Sequence, residues 1–289
     1  MGRLSAWLSS RNPQAVDIAR PHLDLNGEAL GEALRAIVAG AEEQGGIERY
    51  IEPLKLKSAL FQEVLGSGAE GLEFERFLQV CAFMPTVRRR LAPYLDAQGF
   101  ARIRAGLAAL LNGVTDVTTC NARIEAFCGC FPMDKEHRFI RDLAAEVLHN
   151  IDIERYPLMT RWVWDAKANT GILREIWFAD NVDNLTIRVA DDYATFLMLR
   201  EELTQFLTAN GVFRDVLQYV DLLTAQCYAK YICTQGGTYL RTEFSAPEDP
   251  MQHTRRMLGL DGVRPGSNRT RLKAIDGQGY IIEDAKMIG

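Results

Sequence analysis

Apolar residues recur at three- and four-residue spacing through the first half of the chain, the period of helices that bury one face. Leu30, Leu34, Ile37, Val38 and Ala41 set this pattern between Gly27 and Glu43, and Gly45-Gly46 closes it. A second helix is expected over Ile47 to Leu65, where Pro53 is admissible only in a first turn or at a break. Leu72, Phe74, Phe77, Leu78, Cys81 and Phe83-Met84 make a third helix, apolar over much of its circumference and therefore central, which stops at Pro85. Phe100 to Leu111 follows, with Ile103, Leu107, Leu110 and Leu111 on one face and Arg102 and Arg104 pointing away. Ile124, Phe127, Cys128 and Phe131 continue the spacing to Pro132. Lys135 to His149 then reads as a helix with Phe139, Ile140, Leu143, Val147 and Leu148 inward.

The pattern changes at Arg155 to Phe178, which holds three of the four tryptophans. Aromatic and β-branched residues flank Asn169-Thr170-Gly171, so a β-hairpin is expected, with Leu158 to Asp165 and Ile172 to Phe178 as its strands. Alternation places Leu158, Thr160, Trp162 and Trp164 on the buried face and Met159, Arg161, Val163 and Asp165 on the other. A helix beginning at Pro157 is the competing reading.

Beyond it, Asn184 to Val189 reads as a strand. Asp191 or Asp192 caps a helix over Tyr193 to Ala209 that stops at Asn210-Gly211. Phe213 to Cys233 is a second long helix, Thr238 to Phe244 a strand, and Met251 to Leu258 a short helix. Gly262 to Asn268 is a linker, and Arg271 to Ile275 with Tyr280 to Asp284 form a closing hairpin. The expected class is α+β and predominantly helical: a helical region, residues 1–154, packed on a mixed region, residues 155–289, that carries a small antiparallel sheet and two long helices. Helix packing could continue across that boundary into one domain.

Composition narrows the functional classes. With 47% hydrophobic and 25% charged residues the chain is that of a folded globular protein. A net charge of −5 and a pI near 5.5 argue against a surface built throughout for nucleic acid or anionic membrane. No apolar run reaches the length of a membrane span, and Met1 to Arg11 is too short in apolar residues for a secretory signal, so a soluble, cytoplasmic protein is expected.

Four places are candidates for chemistry. Cys120, Cys128 and Cys130 offer thiolates for zinc or iron–sulfur, although paired C-x2-C knuckles are absent and buried cysteine behaves as a small hydrophobe. Glu146 and His149 form an E-x-x-H on one helix face, as in carboxylate-bridged metal sites, but the second such motif is missing; a helix-end histidine bonded to a carbonyl competes. From Thr254 to Lys273, Arg255, Arg256, Arg264, Arg269, Arg271 and Lys273 stand against the single acid Asp261. Arg255, Arg256, Arg269 and Arg271 are thus candidate phosphate contacts, with a solvated face or contacts to the protein's own acids as the alternative. Trp162, Trp164 and Asp165 are candidates for an aromatic pocket around a flat or cationic ligand, against a tryptophan core joining the two halves.

No Walker loop, G-x-G-x-x-G, nucleophile elbow or kinase signature is present. The sequence indicates no particular cofactor. It favours an accessory or regulatory protein acting on a protein partner through its wide apolar helix faces. An enzyme or binder for a phosphate-bearing ligand, nucleotide or nucleic acid, is the alternative, and a metalloprotein the third reading.

Overall fold

The computed structural model describes residues 23–178, 186–235 and 251–261, together with the backbone of 270–273 and 279–282. The expected strand Thr238 to Phe244, the linker Gly262 to Asn268, the N-terminal Met1 to Arg11, Arg264 and Arg269 lie outside these residues.

The first helix, α1 (Gly27–Gln44), starts where the Asn26 side chain accepts from the Glu28 and Ala29 amides, both at 3.1 Å, and ends at Gly45 with φ +93°. Leu30, Ala33, Ile37 and Ala41 face inward, whereas Val38 is 47% exposed. α2 (Glu48–Leu65) runs through Pro53 without stopping. The proline lies early in the helix, so one ladder bond is lost, while Ile51, Leu54, Phe61 and Leu65 remain buried along the continuing helix. Pro85, expected to stop a helix, also starts one: α3 (Phe74–Ala82) gives way to the one-turn α4 (Pro85–Arg88), with proline at its first position. α5 (Ala97–Leu111) and α6 (Cys120–Gly129) pack together.

α7 (Phe139–Ile151) is the centre of this half and packs against α2, α4, α5 and α6. It is buried on all sides, including its polar residues Asp142, Glu146, His149 and Asn150. The inward face read from its leucines and valines is therefore only part of what it buries.

The second half contains the one-turn α8 (Ile172–Glu175), α9 (Tyr193–Ala209), α10 (Val216–Gln235) and the short α11 (Gln252–Met257). Asp192 caps α9 by accepting from the Thr195 amide at 2.9 Å. α10 packs on α1, α2, α8, α9 and α11. One connected core of buried side chains runs from Leu23 to Leu260 and crosses residue 155 without a break.

The α+β class is corrected. Among the described residues 64% are helical and 2% strand, and no antiparallel sheet forms a layer of the fold. β1 (Thr270–Lys273) and β2 (Gly279–Ile282) pair only with each other, Thr270 opposite Ile282, and two four-residue strands do not make a sheet for helices to pack on. Of the expected strand Asn184 to Val189, residues 186–189 are irregular and the first two lie outside the described residues.

The expected hairpin at 158–178 is likewise absent. Thr160 to Val163 turn, a single bridge pairs Asp165 with Thr170, and α8 takes the place of the second strand. Alternation required Met159 and Val163 to face outward, yet they are 2% and 3% exposed, as buried as Trp162 and Trp164. Only a compact turn-and-helix path turns both sets inward. Asn169, at φ +50°, and Gly171, at φ +119°, make the reversal, and a Cβ on Gly171 would stand 2.7 Å from the Val163 carbonyl oxygen. The Ile172 and Leu173 amides donate to the Trp162 and Val163 carbonyls, and Asn26 and Phe178 tie this segment to the start of α1.

Candidate functional site

A cleft of about 700 Å³ is bounded by α6, the loop into α7, the segment around Arg161 and the start of α9. Ile124, Cys128, Ile140 and Met159 supply apolar wall, and Met133, 87% exposed, stands at the cleft.

Its charged residues divide into those bound within the protein and those left over. Arg141 pairs with the Asp191 carboxylate and donates to the Asp191 carbonyl at 2.6 Å. Arg161 donates to Asp142 through its amide at 2.9 Å and through Nη2 at 3.1 Å, and its Nη1 lies 3.9 Å from Asp165. Burial pushes the Asp142 carboxyl above the usual carboxylate range, and Arg161 opposes that rise. Asp165 also accepts from the Ala168 amide at 3.0 Å, and Asp192 is taken up by the α9 cap. Asp134 accepts from the Glu136 and His137 amides and lies 2.7 Å from His137 Nδ1, which holds its carboxyl below the usual range. Lys135, Arg138 and Lys167 line the cleft with no counter-charge among the described residues, and neither Glu125 nor Asp192 has a cationic partner there.

The residues singled out in the sequence fall in four different settings. Trp162 and Trp164 are buried, Trp164 donating from Nε1 to the Val189 carbonyl at 3.1 Å and Trp162 packing on Tyr228 with ring centroids 5.6 Å apart. They form core rather than a ligand cage. Asp165 is 5% exposed and locally bonded, although its edge reaches the cleft. Arg161 Nε and Trp162 Nε1 are buried donors without an acceptor among the described residues.

Burial raises the Cys120 and Cys128 thiols to about 11, which disfavours the thiolate a metal needs. Cys130 is exposed, with Sγ 3.4 Å from the Ala126 carbonyl. Glu146 is paired with Lys57 Nζ at 2.8 Å, and both nitrogens of His149 are used: Nδ1 is 2.9 Å from the Tyr156 carbonyl and Nε2 2.9 Å from Asp221. His149 therefore has no ring nitrogen free to bind a metal beside Glu146. Among the described residues no group of three His, Cys, Asp or Glu side chains could hold a metal ion. Arg255 and Arg256 sit half-buried on α11, Arg255 donating to the Leu260 carbonyl at 3.4 Å. Asp261, the lone acid of that basic stretch, forms a two-pronged pair with the buried Arg88. Arg269 lies outside the described residues, and Arg271 is described as backbone.

The His149–Asp221 pair joins α7 to α10 and has a consequence for pH. The Tyr156 carbonyl can only accept, so Nδ1 carries a hydrogen. Nε2 and Asp221 then share one more proton. Burial opposes the imidazolium, but the Asp221 carboxylate, the Tyr156 carbonyl and Glu146 outweigh it and raise the His149 pKa above the ordinary 6.5. A raised pKa contributes stability that is complete below the unfolded value and lost as pH climbs through the folded one. Unfolding free energy is therefore expected to fall from pH 6.5 upward, by at most about 1.4 kcal/mol per pH unit for this proton. Urea titrations across that range should show a flatter slope in Asp221→Asn; an equal slope in both proteins would refute the assignment.

No family model matches this chain, and no curated protein or solved structure matches it either.

Proposed function

We propose that the protein binds a small amphipathic anion, an apolar body with a carboxylate or phosphate head, in the cleft between α6 and α9. The observation that carries this reading is that Lys135, Arg138 and Lys167 line the cleft without an ion-pair partner among the described residues, whereas Asp134, Asp165, Asp191 and Asp192 already accept from the protein's own donors. A concave site with apolar walls and a few uncommitted cations is the usual form of a small-anion site. The basic stretch singled out in the sequence supports a phosphate ligand less well, because Arg255 and Arg256 sit half-buried on the six-residue α11, with Arg255 bonded to the Leu260 carbonyl.

The partner-binding reading rests on the acidic net charge, the wide apolar helix faces and the absence of a catalytic motif, and of these the helix faces can be compared with the fold. α7 is buried all round, and Phe196, Leu199, Leu203 and Leu207 of α9 are core. Among the described residues only Val38, Met133, Phe178 and Phe213 are exposed large hydrophobics. No helix of the described residues is long and apolar enough to cross a membrane.

Calorimetric titration with decanoate, decyl phosphate and the uncharged decyl maltoside tests the proposal. The two anions are expected to bind and the uncharged amphiphile to bind at least about tenfold more weakly, equivalent to about 1.4 kcal/mol. Replacing Lys135, Arg138 and Lys167 together by alanine should weaken anion binding by a similar factor, and added salt should act in the same direction. Equal binding of the uncharged amphiphile, or anion binding indifferent to the triple substitution, would refute the site.

A further inference from the structure

Between α2, α7 and α10 lies a much smaller cavity, separate from the cleft, with about 10 Å³ open to the centre of a water-sized sphere. Its polar wall is made by Lys57, Ser58, Glu146, His149, Asn150 and Asp221. Lys57 and Glu146 form one buried ion pair, and His149 and Asp221 form the other.

The hydrogen bonds within these pairs leave capacity unused. Lys57 Nζ donates to Glu146 Oε2 at 2.8 Å and to the Leu258 carbonyl at 3.1 Å, which leaves one of its three protons. Asn150 Nδ2 also donates to Glu146 Oε2, at 3.1 Å, so Oε1 has no donor among the described residues. Asp221 Oδ2 takes His149 Nε2 and leaves Oδ1 in the same condition. Free carboxylate oxygens in a dry core are costly, and the space holds one water-sized sphere. A cation there would meet the Lys57 ammonium, and an anion would meet two carboxylates. A neutral donor and acceptor suits both.

The adjoining cavity of about 20 Å³ shares His149 and Asp221 but is otherwise walled largely by apolar groups such as Val163, Phe196, Leu199 and Leu203. The larger cavity is thus the less polar of the two.

We propose that one ordered water occupies the polar cavity, accepts the third proton of Lys57 and donates its two hydrogens to Glu146 Oε1 and Asp221 Oδ1. The two ion pairs then form a single hydrogen-bonded network linking α2, α7 and α10. A crystal structure at a resolution that orders solvent should show a water within hydrogen-bond distance of both carboxylates. An empty cavity, a side chain rotated into it, or a water touching only one pair would overturn the proposal. In solution, oxygen-17 relaxation dispersion should count one long-lived water fewer in Lys57→Met/Glu146→Met than in the parent protein, because two of the three partners are gone. An unchanged count would also overturn it. Neither measurement depends on the anion cleft, so the two proposals fail separately.

Discussion

Replacing Lys57 with methionine is expected to lower the unfolding free energy by about 3–5 kcal/mol, the cost of leaving one partner of a buried ion pair without its counter-charge. Lys57 and Glu146 have side chains only 5% and 2% exposed, so bulk solvent screens the uncompensated carboxylate poorly. Asn150 alone would remain to bond Glu146 Oε2, and the Leu258 carbonyl would lose its donor. The double variant Lys57→Met/Glu146→Met should recover most of that loss, since apolar side chains of similar volume remove the buried charge altogether. Urea midpoints of the three proteins decide the matter. If the single variant is as stable as the parent, the pair is not buried as described; if the double variant is no better than the single, the loss comes from packing.

Trp164→Ala should be comparably damaging, at about 3–5 kcal/mol, because it removes the largest fully buried side chain and leaves a cavity that the rigid turn at 165–170 cannot collapse into. It also strips the Val189 carbonyl of its donor. Trp164→Phe keeps most of the volume and loses mainly that hydrogen bond, so it should cost about 1–3 kcal/mol. Chemical denaturation of both variants separates the two contributions. An alanine variant within about 1 kcal/mol of the parent would mean that Trp164 is not the core side chain joining the 155–178 segment to the rest, since changes that small belong to exposed positions.

How much of this was legible in the chain varied with what kind of signal each element carries. α9 was readable to the residue, because Asp192 and Asn210-Gly211 mark its ends locally and its apolar spacing is unambiguous. The segment from Arg155 to Phe178 was not. Aromatic density and a glycine turn suit a hairpin, and only burial on both sides, set by the helices packed around it, selects the turn and α8 instead. The cleft's cations were equally hidden. Lys135 and Arg138 look like any solvated face, and only the fold brings them to the same wall as Asp191 and Asp192, more than fifty positions away, which already have partners.

By itself the sequence determined most of the helices, their caps and the apolar faces that drive them together, because these follow from local periodicity and backbone hydrogen bonding. Tertiary structure alone decided which charges are buried and whom they meet. Asp142, Glu146 and His149 look solvent-facing or metal-binding on a helical wheel, yet Arg161, Lys57 and Asp221 take them up, the last two from 89 and 72 positions away. A charge enters the core only when its counter-charge arrives with it, and that arrival depends on the packing of α2, α7 and α10, which no local pattern encodes.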